Sequence, residues 1–115
     1  MITRIKAGPR MSQAVVHGNT VYLSGQVASN RSADTAGQTR EILATIDGLL
    51  AEAGTDKSQL LAATVYLAEM STFNEMNAVW EAWNAPGCAP ARATVGAPLA
   101  SSAYRVEIVV TAARG

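Results

Sequence analysis

The sequence predicts a single α+β domain covering residues 1–115, a mixed β-sheet with two helices packed on one face. Three observations predict it. Two windows space their apolar residues at helical intervals, short alternating or β-branched runs surround those windows, and right-handed crossovers in the order strands, helix, strand, helix, strands place both helices on the same side.

Residues 2–6 and 13–17 alternate weakly, and Val21-Tyr22-Leu23 runs into Ser24-Gly25-Gln26, so the first third reads as two or three short strands. Gly18-Asn19 tolerates positive φ and is the expected hairpin turn between 13–17 and 21–27. After a polar loop at 28–34, Thr35 followed by Gln38 fits a capping box, and Ile42, Leu43, Ile46, Leu49, Leu50 and Ala53 share one helical stripe that Gly54 ends. Residues 61–67 form an almost unbroken apolar run, as a central strand does. Ser71 or Thr72 is the expected cap of a second helix, whose stripe is Phe73, Met76, Val79, Trp80 and Trp83 and whose stop is Pro86-Gly87.

Composition narrows the function classes. An apolar fraction of 49% with 16% charged residues excludes disorder, and nine basic residues against nine acidic ones leave no net charge. The cations are scattered singly with few aromatics beside them, so nucleic acid is not an expected partner. Such a surface predicts self-association instead. The N-terminus lacks a signal-peptide pattern, no apolar run approaches the ~18 residues of a membrane span, and the single Cys88 closes no intramolecular disulfide; together these predict a cytoplasmic protein that does not enter membranes. No metal-ligand cluster accompanies His17 or Cys88, which read as a strand-end residue and a packing residue. Trp80 and Trp83 read as packing residues too.

The last quarter carries the chemistry. Pro90-Ala91-Arg92-Ala93-Thr94-Val95 and Tyr104-Arg105-Val106-Glu107-Ile108-Val109-Val110 are β-type runs that each hold a charge the core does not need. Paired as an antiparallel hairpin through Pro98 to Ala103, they set Thr94 opposite Glu107 and Arg92 opposite Val109, so that Arg92, Thr94 and Glu107 share one face. Diagonal neighbours on such a face lie roughly 7–8 Å apart, the span of a small organic acid. A slip of one residue would turn one set to the other face. Arg105 has the parity to pair with Glu107 and is the alternative explanation of that carboxylate.

These segments, in this order and spacing, resemble the reactive intermediate deaminase family, RidA, also known as YjgF-type or endoribonuclease L-PSP-type proteins. Ser24-Gly25-Gln26 resembles the family's SGQ segment, Met76-Asn77-Ala78-Val79-Trp80 the helix that usually carries an asparagine, Pro90-Ala91-Arg92 the PAR signature and Val106-Glu107-Ile108 the terminal VEIE-like strand. The resemblance covers nearly the whole chain. It implies a chorismate mutase-like fold, a homotrimer with clefts between subunits, and hydrolysis of enamine and imine acids such as 2-aminoacrylate and 2-iminopropionate. By position it implies that Arg92 holds the substrate carboxylate, Glu107 positions water, and Ser24, Gly25 and Thr94 line the site. Where relatives often have tyrosine after Gly-Pro, this chain has Gly8-Pro9-Arg10-Met11, which makes Met11 a candidate substrate-binding residue in an altered wall.

The chemistry agrees with the residue types. A 2-imino acid is already an electrophile, so its hydrolysis needs an anchor and a placed water but no metal, nucleophile or cofactor. Arginine supplies planar bidentate carboxylate recognition and glutamate supplies proton transfer. A protein that only binds 2-keto acids or other small carboxylates, and a ribonuclease or translation inhibitor, are the alternatives from other classes.

Overall fold

Gly18, at φ +61°, lets the chain reverse in two residues, and the flanking strands pair as expected. Ala14–His17 (β2) runs antiparallel to Thr20–Leu23 (β3) with His17 opposite Thr20, and Ile2–Ile5 (β1) adds to the outer edge of β2. The computed structural model describes residues 1–115 throughout.

The first helix, Thr35–Glu52 (α1), buries the expected stripe, Ile42, Leu43, Ile46, Leu49 and Leu50, against the sheet. Its cap lies one residue earlier than the capping box predicts: Asp34 accepts from the Gly37 amide at 2.8 Å. A carboxylate outcompetes a hydroxyl at the positive end of a helix, because the hydrogen bond is charge-assisted. Gln38 is thereby released for another task. It is fully buried, its Nε2 donates to Ala103 O at 3.0 Å, and its Oε1 accepts from Arg105 N at 2.9 Å.

Leu60–Leu67 (β4) is the central strand its apolar run predicts, bonded on both edges. The second helix, Phe73–Trp83 (α2), buries Met76 and Trp80. Thr72 precedes it without capping it, since its hydroxyl donates to Glu69 O at 2.7 Å. Glu75 serves the neighbouring helix instead, accepting from the Ala36 amide at 2.8 Å and so tying α2 to the start of α1.

The last two strands, Ala91–Gly96 (β5) and Val106–Ala113 (β6), do not pair with each other. The sheet order is β1-β2-β3-β6-β4-β5: β5 runs parallel to β4 after the α2 crossover, and β6 enters on the other edge of β4, antiparallel to it and to β3. The expected hairpin is therefore overturned. Residues 97–105 cross the end of β4, where Ala97 N donates to Leu67 O at 3.0 Å and Ala68 N donates to Arg105 O at 3.1 Å. Gln38 holds that crossing from beneath.

The helices and the inner sheet face enclose one hydrophobic core, to which β6 contributes Val106, Ile108, Val110 and Ala112. Nothing in the chain covers the other face, where Val15, Tyr22, Tyr66, Glu107, Val109 and Thr111 stand in adjacent rows. No helix is long and apolar enough to cross a membrane.

Gln38→Leu leaves Ala103 O and Arg105 N without partners beneath the crossing segment, so it costs roughly 2–4 kcal/mol in urea unfolding; a loss below about 0.5 kcal/mol would mean that water replaces both bonds. A second prediction concerns Glu41, whose carboxylate accepts from the amides of Ser29 and Asn30 and is held below the ordinary glutamate range chiefly by the Ser29 bond. A depressed folded pKa stabilises above the unfolded value and loses that stabilisation as pH falls through the folded one. Thermal midpoints of the native protein and Glu41→Gln therefore differ at neutral pH and converge below the ordinary glutamate range; a gap that persists in acid contradicts this.

Candidate functional site

Arg92 points to the helix side of the sheet. Its row partner on β4 is Ala63, a buried core residue, and α2 packs above it. Its Nη1 donates to Asn77 Oδ1 at 2.7 Å and lies 4.0 Å from Met76 Sδ. The guanidinium carbon sits 5.9 Å from the ring centre of Phe73 and 5.5 Å from that of Trp80. Aromatic residues expected only to fill the core thus also hold a cation over their faces. Arg92 forms no ion pair within the chain, whose one salt bridge joins Lys6 to Glu52. Thr94, two residues on and facing the same way beside Val65, has a buried hydroxyl with no hydrogen-bond partner.

Glu107 stands on the uncovered face, in the row of Tyr66. The segment Ser24-Gly25-Gln26 is locked beside it by two backbone bonds, Gln26 N to Ile108 O at 2.9 Å and Ile108 N to Gln26 O at 3.1 Å. A Cβ added to Gly25 would come within 2.0 Å of Glu107 Oε2, so the absence of a side chain there is what gives the carboxylate its place. The buried Gln26 fixes the segment: its Nε2 donates to Gln13 Oε1 at 3.0 Å and to Ser24 O at 3.1 Å, while Ser24 Oγ donates to Gln13 O at 3.3 Å. Gln13 was not expected in this role; its signal is a polar residue immediately before the alternation of β2. Glu107 accepts no hydrogen bond from this chain and lines a shallow depression of about 300 Å³ with Tyr66, Ala97, Pro98, Leu99, Ala100 and Val109.

Arg105 is not its partner. It precedes β6, and its Nε donates to Ala33 O at 3.2 Å. Met11 is exposed in the loop between β1 and β2, its carbonyl accepting from Gly8 N at 2.8 Å, and is absent from the lining of the Glu107 depression. His17 ends β2 in solvent and Cys88 lies half-buried in the turn after α2.

Arg92 and Thr94 therefore share a face, as expected, and Glu107 occupies the opposite one. The cause is one residue of register. A hairpin sets Arg92 opposite Val109, whereas the true rows run through Ala63, which pairs with Arg92 on one side and Val110 on the other. The single chain does not form the cleft between guanidinium and carboxylate that the hairpin implied. A larger groove of about 430 Å³ lies between α1 and α2, lined mainly by Leu43, Ala44, Ala78, Val79, Ala82 and Trp83. Its carboxylate, Asp47, is occupied in accepting from Trp83 Nε1 at 3.0 Å.

Comparison with known proteins agrees with this architecture. A family model described as endoribonuclease L-PSP matches residues 1–114. A RutC family protein of Haemophilus ducreyi is 47% identical over 98% of this chain and 97% of its own length. A mouse protein named 2-iminobutanoate/2-iminopropanoate deaminase is 31% identical over 90% of this chain and 81% of its own length. Among solved structures, a YjgF family member from Neisseria meningitidis superposes with a TM-score of 0.97 at 45% identity, covering 100% of this chain and 96% of the other. Along almost its whole length, the chain belongs to the RutC/YjgF family that this endoribonuclease L-PSP model describes.

Proposed function

We propose that the protein hydrolyses 2-imino and 2-enamine acids to 2-keto acids and ammonia, in sites that Arg92 of one chain and Glu107 of another complete together. One observation carries the reading: each group is held in place by its own chain and neutralised by neither. Arg92 rests on α2 with free donors, and Glu107 rests over Gly25 without a donor. On opposite faces of one sheet they cannot share a substrate, so a second copy must bring them together. The uncovered, largely uncharged sheet face supplies a surface for that copy, and a homotrimer with three such clefts is the assembly the family resemblance implies. The mouse relative, named as a 2-iminobutanoate/2-iminopropanoate deaminase, supports the substrate class.

The chemistry follows from the two groups. The guanidinium takes the substrate carboxylate and fixes the adjacent C=N carbon. Glu107 accepts a proton from water as the water oxygen bonds to that carbon and returns it to the former imine nitrogen, giving a carbinolamine. The carbinolamine hydroxyl then loses its proton to Glu107, which passes it to the amine; the C–N bond breaks as the C=O bond forms, ammonia leaves and the 2-keto acid remains. An enamine enters the same course after tautomerising to the imine. The buried Thr94 hydroxyl is a candidate partner for a substrate polar atom, Ser24 and Gly25 hold the carboxylate side of the cleft, and Met11 stands for the altered wall.

With imino acids generated in place by an amino-acid oxidase, the native protein accelerates 2-keto acid release and Arg92→Ala lowers kcat/KM about 10²-fold. Equal rates with and without protein would leave the reading that it only binds small carboxylates. Glu107→Gln lowers kcat by about 10²–10⁴-fold. Unfolded together and refolded, Arg92→Ala and Glu107→Gln chains regain activity neither shows alone, because a mixed assembly rebuilds an intact pair. Failure to regain any, with mixed oligomers demonstrated by mass spectrometry, contradicts a shared site.

A further inference from the structure

We infer that Asn77 is the positioning residue of Arg92, holding Nη1 so that the Nε–Nη2 edge of the guanidinium is the fork that receives a ligand carboxylate. The inference deepens the proposed function and rests on it for the identity of the ligand. Phe73, Asn77 and Trp80 are spaced i, i+4 and i+7 along α2, so they present one stripe to the arginine. The two rings, at 5.9 and 5.5 Å, favour a cation near their faces. Such an attraction is non-directional within the guanidinium plane and leaves the group free to turn.

A bidentate fork needs that rotation fixed, since both N–H bonds must meet both carboxylate oxygens. The bond from Nη1 to Asn77 Oδ1, at 2.7 Å, is the short directional contact that fixes it. The amide orientation is settled by chemistry, because guanidinium only donates and the amide oxygen is the group that accepts. The arginine's hydrogen bonds within the chain all run through Nη1, and Nε and Nη2 make none. The buried, unpartnered Thr94 hydroxyl on the same face of β5 marks this side as the one awaiting a polar ligand. An amide also serves where a carboxylate would not: it accepts the bond without cancelling the charge that the ligand needs.

The test is heteronuclear NMR of the Arg92 Nε–Hε resonance, assigned by its loss in Arg92→Lys, with 2-ketobutyrate as the probe. In the native protein the resonance is resolved from the exposed arginines and moves on titration. In Asn77→Ala it merges with them, affinity for 2-ketobutyrate falls about tenfold, and the thermal midpoint stays within a few degrees. In Asn77→Asp the resonance stays resolved while affinity still falls, a split that mere loss of packing does not produce. An Asn77→Ala protein with an unmoved resonance and native affinity overturns the inference. If the native protein neither releases keto acid nor binds the probe, the proposed function fails by that result. The merging of the resonance in Asn77→Ala, or its persistence, then upholds or overturns the positioning role on its own.

Discussion

The row in which Ala63 stands between Arg92 and Val110 decides what this chain can do alone. β4 is apolar enough to be bonded on both edges, so the strand after α2 joins one edge in parallel and the last strand is left the other. That insertion makes β6 central, buries every second residue from Val106 to Ala112, and turns Glu107 outward. Arg92, in the row of a core alanine, is turned inward. The two charges follow from strand order, with no local feature of either strand to bring them together.

Separation also protects both groups. Within one face, a guanidinium and a carboxylate at diagonal spacing would attract each other and close the space between them. Here each is held by groups without opposing charge, namely rings and an amide on one side and a glycine backbone on the other. Neither charge is satisfied by its own chain. On the proposed reading the cation meets its carboxylate only as substrate, in the presence of the second copy's glutamate.

Much of this was legible in residue order. Helical stripes, the Gly18-Asn19 turn and the central run at 61–67 follow from periodicity and turn chemistry, and all sit where those rules place them. The order of the last strands did not follow, because Pro98 to Ala103 has the composition of a turn whether the chain reverses beside β5 or crosses the end of β4. What distinguishes the cases is distant: Gln38, sixty-five positions from Ala103, bonds the crossing from α1. That glutamine fits a capping box equally well until Asp34 takes the cap. Asn77 and Gln13 were similarly visible as polar residues in or beside apolar patterns, but a polar anomaly names no partner.

The glutamate and the arginine illustrate one physical rule from opposite directions. A charge that must act on a ligand has to be positioned, and the strongest positioning force, a counter-ion, would silence it. Arg92 is held instead by quadrupoles and a neutral amide oxygen, whose attractions leave its formal charge intact. Glu107 has no equivalent cushion, and on the proposed reading none would serve, since groups that favour a carboxylate are donors and would draw on the lone pairs that a placed water needs. It is positioned by space: the strand fixes its backbone, Tyr66 flanks it, and Gly25 yields the volume its oxygens occupy. The asymmetry of the two halves, one built of contacts and the other of an absence, is what donor and acceptor chemistry requires if, as proposed, both charges act on one ligand.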